Sequence, residues 1–508
     1  MVEPIRSIAI VGGGTAGWMV AASLQQHFSN TPIRITLIES SKIDTVGVGE
    51  ATIPTIRRFY QQLGMKDDEV LRATNGTCKL GIQFNDWYSP GSSFIHPFGL
   101  FGQDVKGIGF HHYWLKLREQ GNTTPIGSYS LGASLAQQDK FILPAPNPPS
   151  SLSVFDWALH FDASLFAAHM RDFATSRGCR HIDAMITNVT QRPDDGYIES
   201  LQLDTGDEIS ADLFIDCSGF RSLLLDQTLD VGYEDWSQWL FCDSAWVAQS
   251  ANMNAPSPYT RVNAQEAGWQ WRIPLRHRTG NGYVYSSRFT TDQAAGDRFA
   301  ENVEGELLTE PRKLNFTPGR RAKSWHKNCI ALGLSSGFLE PLESTSIALI
   351  ETGIERIKTL FPDRGFSQAC IDEFNETTAL EYERVRDFII LHYKATKRDD
   401  TPFWQECASM EIPETLQRKV ELFRRRGYFV RYRWEMFHPA SWLAIYAGFN
   451  ILPESYDPGV DSFDENYLWK SLTGMQASVE KVVNESPAHE EFLETVYGGG
   501  EIAGRKEI

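Results

Sequence analysis

At 508 residues the chain is longer than a single hydrophobic core serves, so roughly two or three lobes are expected, and its 42% hydrophobic and 22% charged residues are those of an ordinary globular protein. A formal charge of −17 argues against nucleic acid and anionic membranes as partners, while the 12% aromatic content predicts either a ring-rich pocket or a large aromatic core. Seven cysteines with no C-x-x-C pair and twelve histidines with no H-x-x-x-H spacing argue against a disulfide framework and a metal centre, and with no apolar leader or membrane-length run a cytoplasmic protein is expected.

The first element is an apolar run, Ile8 to Val11, which reads as a buried parallel strand. It runs into Gly12, Gly13, Gly14, Thr15, Ala16 and Gly17, where Gly12, Gly14 and Gly17 fit the G-x-G-x-x-G turn that opens a helix. The first glycine permits the bend, the second lets a pyrophosphate approach the backbone, and the third lets helix and strand pack closely. A helical pattern through Val20 and Leu24 follows, then a second strand ending on Glu39, whose carboxylate would accept hydrogen bonds from ribose hydroxyls. A dinucleotide ligand on a Rossmann-like α/β module is the expectation; a glycine-rich turn without ligand is the plainer alternative.

The glycine-punctuated loop from Val46 to Pro54, with Glu50 in it, suits either a strap across a cofactor or a connector. Lys79 stands just before an apolar strand, where a lysine is ordinarily solvated. Residues 88–158, rich in Gly, Pro and Ser around Phe110, His111, Tyr113 and Trp114, read as an irregular insertion that covers a chamber. Strand patterns at Ile186 to Thr190, Ile198 to Leu203 and Leu213 to Asp216 return the chain to the sheet. Trp269 and Trp271 lie on one face of an extended stretch that ends at Ile273 and Pro274, as core or as pocket wall. Residues 330–350 read as a buried strand, an acidic loop and an amphipathic helix through Ile347, Ile350, Ile354 and Ile357, capped by Ser344 or Thr345. A first turn left partly uncapped would instead suit an anion, with Glu343 as a base beside it. The basic runs 394–398 and 424–426 read as solvated helix faces.

Gly12, Gly14 and Gly17, Lys79, the Trp269-x-Trp271-x-Ile273-Pro274 pattern and the Glu340-Pro-Leu-Glu-Ser-Thr345 loop together resemble the flavin-dependent halogenases of the tryptophan halogenase family. The resemblance implies FAD, arriving reduced from a separate flavin reductase, and a halide co-substrate that is turned into hypohalous acid. It implies Lys79 as the group that activates this oxidant and Glu343 as the carboxylate that stabilises or deprotonates the ring cation. Thr345 and Ser346 would hold the halide, Ser346 standing where many members carry glycine. Thr15, Ala16, Gly49, Glu50, Ala51 and Leu334 would border the cofactor, and Trp269, Trp271, Ile273 and Pro274 would wall the pocket.

The domains implied are residues 1–361 for FAD, 362–496 as a mainly helical substrate lobe, and 497–508 as a disordered tail. The substrate is a small electron-rich aromatic such as indole, with tryptophan left open; Phe110, His111, Trp442 and Tyr446 could sandwich its ring or belong to the core. A homodimer is a candidate assembly. A flavin monooxygenase and a flavin-binding protein without turnover are the competing functions.

Overall fold

In the computed structural model, which describes residues 3–43 and 49–499, Ser7–Val11 forms the central strand of a six-stranded sheet. Its neighbours are Arg34–Glu39 on one side and Leu213–Asp216 on the other, both parallel, with Arg180–Asp183 and Cys329–Ala331 continuing outward, also parallel. Ile8, Ala9, Ile10 and Val11 are all buried, which is why the strand reads as a continuous apolar run rather than an alternating one. The chain winds outward in one direction and then in the other from Ser7–Val11, so the topological switch lies between that strand and Leu213–Asp216, where doubly wound folds bind ligands beyond the strands' carboxyl ends. The Rossmann-like expectation is met.

The chain divides into two compact units, each assembled from three segments. The first takes Met1–Asn75, Phe161–Asp243 and Asn315–Glu383 and holds the parallel sheet; the second takes Gly76–His160, Ser244–Leu314 and Arg384–Ile508. The expected consecutive division at residue 361 does not coincide with this interleaved one, because strands far apart in sequence are neighbours in each sheet. In the second unit the strands run in the order Ser244–Ser250, Thr279–Tyr285, Gly268–Pro274, Thr260–Gln265, Gly81–Asn85 and Ser93–Pro97. They pair antiparallel except for Thr260–Gln265 with Gly81–Asn85. Trp269 packs on Trp87 with ring centroids 6.1 Å apart, and a side chain on Gly282 would strike the Trp271 ring at 2.3 Å, so both tryptophans help to build this sheet.

Several local expectations are corrected. The stretch 88–158 is less irregular than its composition implies, since it contains the strand Ser93–Pro97 and the helices Phe110–Glu119 and Leu131–Gln137. Lys394 and Arg398 are not solvated: the first bonds the carbonyls of Ala408 and Met410, and the second is buried against Asp400 and the Trp404 ring. All seven cysteines are free thiols. Among the described residues, no helix is long and apolar enough to cross a membrane, and no group of three or more His, Cys, Asp or Glu could hold a metal ion. Of the expected tail 497–508, Tyr497 instead ends the helix His489–Tyr497 and donates to the Gly76 carbonyl, while residues 500–508 and the strap residues 46–48 lie outside the described residues.

Candidate active site

The glycine turn is built as a dinucleotide cradle needs. Gly12 sits at φ +105°, and a Cβ there would strike the Cys217 carbonyl at 2.2 Å. On Gly17 it would meet the Gly12 carbonyl at 1.8 Å, so helix and turn pack at a distance only glycine allows. Gly14 differs: nothing lies within 4 Å of an added Cβ, which leaves its surface open to a ligand. Gly14 also occupies the N-cap of the helix Thr15–His27 and supplies no side-chain cap, so the first-turn N–H groups and the positive dipole end suit a pyrophosphate.

Glu39, at the end of its strand, brings one carboxylate oxygen against Gly13 while the other lies 2.9 Å from His181 Nε2. Burial raises its pKa and His181 opposes the shift. His181, which also packs edge-on against Trp18, carried no sequence signal, since nothing in its neighbourhood marks it as the partner of a residue 142 positions earlier. The Gly333–Ser335 turn, which contains Leu334, comes to the same place: a Cβ on Gly333 would approach the Ala16 Cβ to 2.9 Å, and Ser335 donates to Asp216. Asp216 itself also receives bonds from Ser218, Leu224 and Leu225, so it is a buried organiser of loops. Gly49–Ala51 is a short strand in which burial pushes the Glu50 carboxyl up to about 7.

The acidic loop and its helix belong to the same unit. Glu343 and Ser344 are buried, at φ +67° and +58°, a left-handed conformation that costs non-glycine residues about 1–2 kcal/mol each. Two such residues in succession, one of them the candidate base, mark a shape maintained by its surroundings. Thr345 occupies the N-cap position of the helix Ser346–Thr359, but its side chain makes no cap bond, which corrects the expected capping and leaves the uncapped alternative. Farther along the helix, Thr352 and Arg356 both bond Glu381, at 2.8 and 2.6 Å, and anchor it.

Lys79 belongs to the second unit and corrects the solvated expectation outright, being 0% exposed. Its strand, Thr77–Lys79, runs antiparallel to residues 158–160, with Lys79 opposite the small Ala158 and Thr77 opposite His160. The ammonium lies 5.2 Å from the centre of the Phe98 ring. Two residues before Phe98, His96 meets Phe437 and Phe388; these two rings stack at 3.8 Å, and Phe388 meets Trp442 edge-on at 4.9 Å. Trp442 continues to Tyr446, Tyr446 to Phe423 and Phe423 to His111, so three of the four candidate substrate residues share one run of rings. Phe110 faces Tyr129 instead. His111 donates to the Gly427 carbonyl, and burial lowers its pKa to about 4, which keeps it neutral. His96, Phe98, Phe388 and Phe437 carried no local signal in the sequence, since they come from the strand Ser93–Pro97 and the residue after it and from distant parts of the chain.

A doubly wound module with this glycine cradle defines a dinucleotide-dependent protein. The sequence profile of the tryptophan halogenase family matches residues 7–465, and the chain belongs to that family. It is 33% identical to the tryptophan 7-halogenase RebH of Lentzea aerocolonigenes, covering 97% of this chain and 99% of that one. Among solved structures, BrvH, a flavin-dependent halogenase from Brevundimonas sp. BAL3, superimposes with a TM-score of 0.94 at 61% identity, covering 97% of this chain and 99% of that one. A flavin-dependent halogenase from Xanthomonas campestris gives a TM-score of 0.93 at 44% identity over the same shares.

Proposed function

We propose that this protein halogenates a small electron-rich aromatic compound, with indole the favoured class, using reduced FAD delivered by a separate flavin reductase, oxygen, and chloride or bromide. When bound, reduced FAD with oxygen and halide supplies hypohalous acid. Gly12, Gly14, Thr15, Ala16 and Gly17 hold the pyrophosphate, Glu39 holds ribose, and Gly49, Glu50, Ala51 and Leu334 border the cofactor. Thr345 and Ser346 hold the halide at the helix start.

The observation that carries the reading is a fully buried lysine beside an aromatic wall. A lysine with no exposure at the end of a three-residue strand is a positive charge held inside the fold, where electrostatic interactions are stronger than in water. Its ammonium hydrogen-bonds to the oxygen of the oxidant, so that the oxygen–halogen bond breaks toward water as the carbon–halogen bond forms. Glu343 accepts the proton that the ring releases, and the sum is one aromatic C–H and one hypohalous acid giving one aryl halide and one water. The rings of His96, Phe437, Phe388 and Trp442, with Phe98 two residues beyond His96, offer a flat apolar ring its stacking partners. Trp269 and Trp271 support the reading by bracing the strand that ends at Pro274, next to the strand of the lysine.

The test is incubation of the protein with FAD, a flavin reductase, NADH, bromide and indole in air, followed by product mass. A bromine isotope doublet supports the proposal. Oxygen added without halogen would replace it with a monooxygenase, and flavin retained without any product from a panel of indoles and phenols would replace it with a binding protein.

A further inference from the structure

The strand that carries Lys79 is gripped from both sides by buried histidines. On the lysine's own face, Thr77 Oγ1 donates its single proton to the Pro274 carbonyl at 2.7 Å, so at 3.0 Å from His160 Nδ1 it is the acceptor. His160 is then the Nδ1-protonated tautomer, and Nε2 accepts the Thr260 hydroxyl at 2.9 Å. The chain Thr260, His160, Thr77, Pro274 has every proton assigned and ties four strands together, with His160 0% exposed. On the other side, Cys78 N–H donates to His489 Nε2 at 3.2 Å, while His489 Nδ1 donates to the Pro256 carbonyl at 2.7 Å.

We propose that His160 is a positioning residue for halogenation: as a neutral, Nδ1-protonated imidazole it fixes Thr77, and through Thr77 it fixes the lysine two residues along the same strand face. This rests on the reading of Lys79 as the group that activates the oxidant. Burial, with the charge of Lys79 and then His489 adding to it, holds the His160 pKa well below the ordinary histidine value, so the ring stays in the form the chain requires. Packing alone does not explain the arrangement. An apolar residue would fill the same buried space but leave the Thr260 hydroxyl without its acceptor and Thr77 without its donor, whereas the histidine spends one nitrogen on each and so ties the three-residue strand of Lys79 to the strand of Thr260.

The experiment uses the full chain and two substitutions that separate the ring nitrogens. His160→Asn keeps a donor where Nδ1 stands and so keeps Thr77; His160→Gln keeps an acceptor where Nε2 stands and so keeps Thr260 but loses Thr77. The reading is bromoindole formed per flavin reoxidised, compared at equal concentrations of folded protein because free reduced flavin also reoxidises in air, with the Michaelis constant for indole measured alongside. His160→Asn is expected within about threefold of the unsubstituted protein. His160→Gln falls about ten- to a hundredfold with little change in the Michaelis constant. Thr77→Ser retains the ratio, and Thr77→Val falls with His160→Gln. If Gln equals or exceeds Asn, or if Thr77→Val keeps the full ratio, His160 is packing only and the inference fails. Lys79→Ala runs in parallel: a normal ratio there overturns the underlying reading instead, whereas a lost ratio beside unaffected His160 and Thr77 variants overturns the inference alone.

Discussion

Glu351 lies one turn and a half into the helix that starts at the candidate halide site, and burial raises its carboxyl from the ordinary 4.5 to about 8, partly offset by Thr55 and Arg58. A raised carboxyl pKa means that the folded state binds more protons than the unfolded one between those two values, so stability falls as pH rises through the window from 4.5 to about 8. At about 1.36 kcal/mol per unit, the loss is about 2 kcal/mol at pH 6 and about 5 kcal/mol at pH 9. Glu351→Gln, which does not titrate, escapes this loss. Relative to the unsubstituted protein it should therefore gain about 3 kcal/mol on going from pH 6 to pH 9, a change of roughly 3 °C in the difference between thermal midpoints for a chain of 508 residues. Differential scanning calorimetry at the two pH values provides the comparison. A difference in midpoint that stays constant with pH would refute the burial argument, and one that moves the other way would mean that the carboxylate form is the one the fold prefers.

The glycine turn offers a paired test. Gly17→Ala drives a methyl to 1.8 Å from the Gly12 carbonyl and should cost stability as well as FAD binding, whereas Gly14→Ala meets nothing within 4 Å and should fold normally while binding FAD at least tenfold more weakly. Thermal midpoints and quenching of flavin fluorescence read the two effects separately; equal stability losses would deny that Gly14 faces the ligand. At the helix start, Thr345→Val should raise the Michaelis constant for bromide while leaving the thermal midpoint nearly unchanged, because there is no side-chain cap bond to lose. A drop of the size that capping residues give, about 1 kcal/mol, would show that the hydroxyl caps after all.

Gly12 to Gly17 were legible from the sequence because a glycine requirement is local: a bend, an open approach and a close packing each demand the same residue at fixed spacing. The parallel strands were legible for a similar reason, since continuous apolar runs announce burial on both faces. Lys79 was misjudged by local rules. Three residues of strand cannot reveal that their partners are His160, Pro274 and His489, between about 80 and 410 positions away, and burial is set by those partners. Lys394 and Arg398 were misjudged likewise, their charges being met by carbonyls and by Asp400. The ring wall draws His96, Phe388, Phe437 and Trp442 from separate elements, so no single window of sequence contains it. The capping expectation at Thr345 failed because two preceding residues take a left-handed backbone that no helix-start rule anticipates.

The proposed halogenation turns on a division of labour between Lys79 and Glu343. Its most direct measurement is bromoindole formed per flavin reoxidised in Lys79→Ala and Glu343→Gln, with hypobromous acid in solution captured by an added trap. Both variants should continue to reoxidise flavin in the presence of bromide, with trapped oxidant rising and bromoindole falling by at least a hundredfold. Either variant forming bromoindole at the unsubstituted ratio would contradict this division of labour.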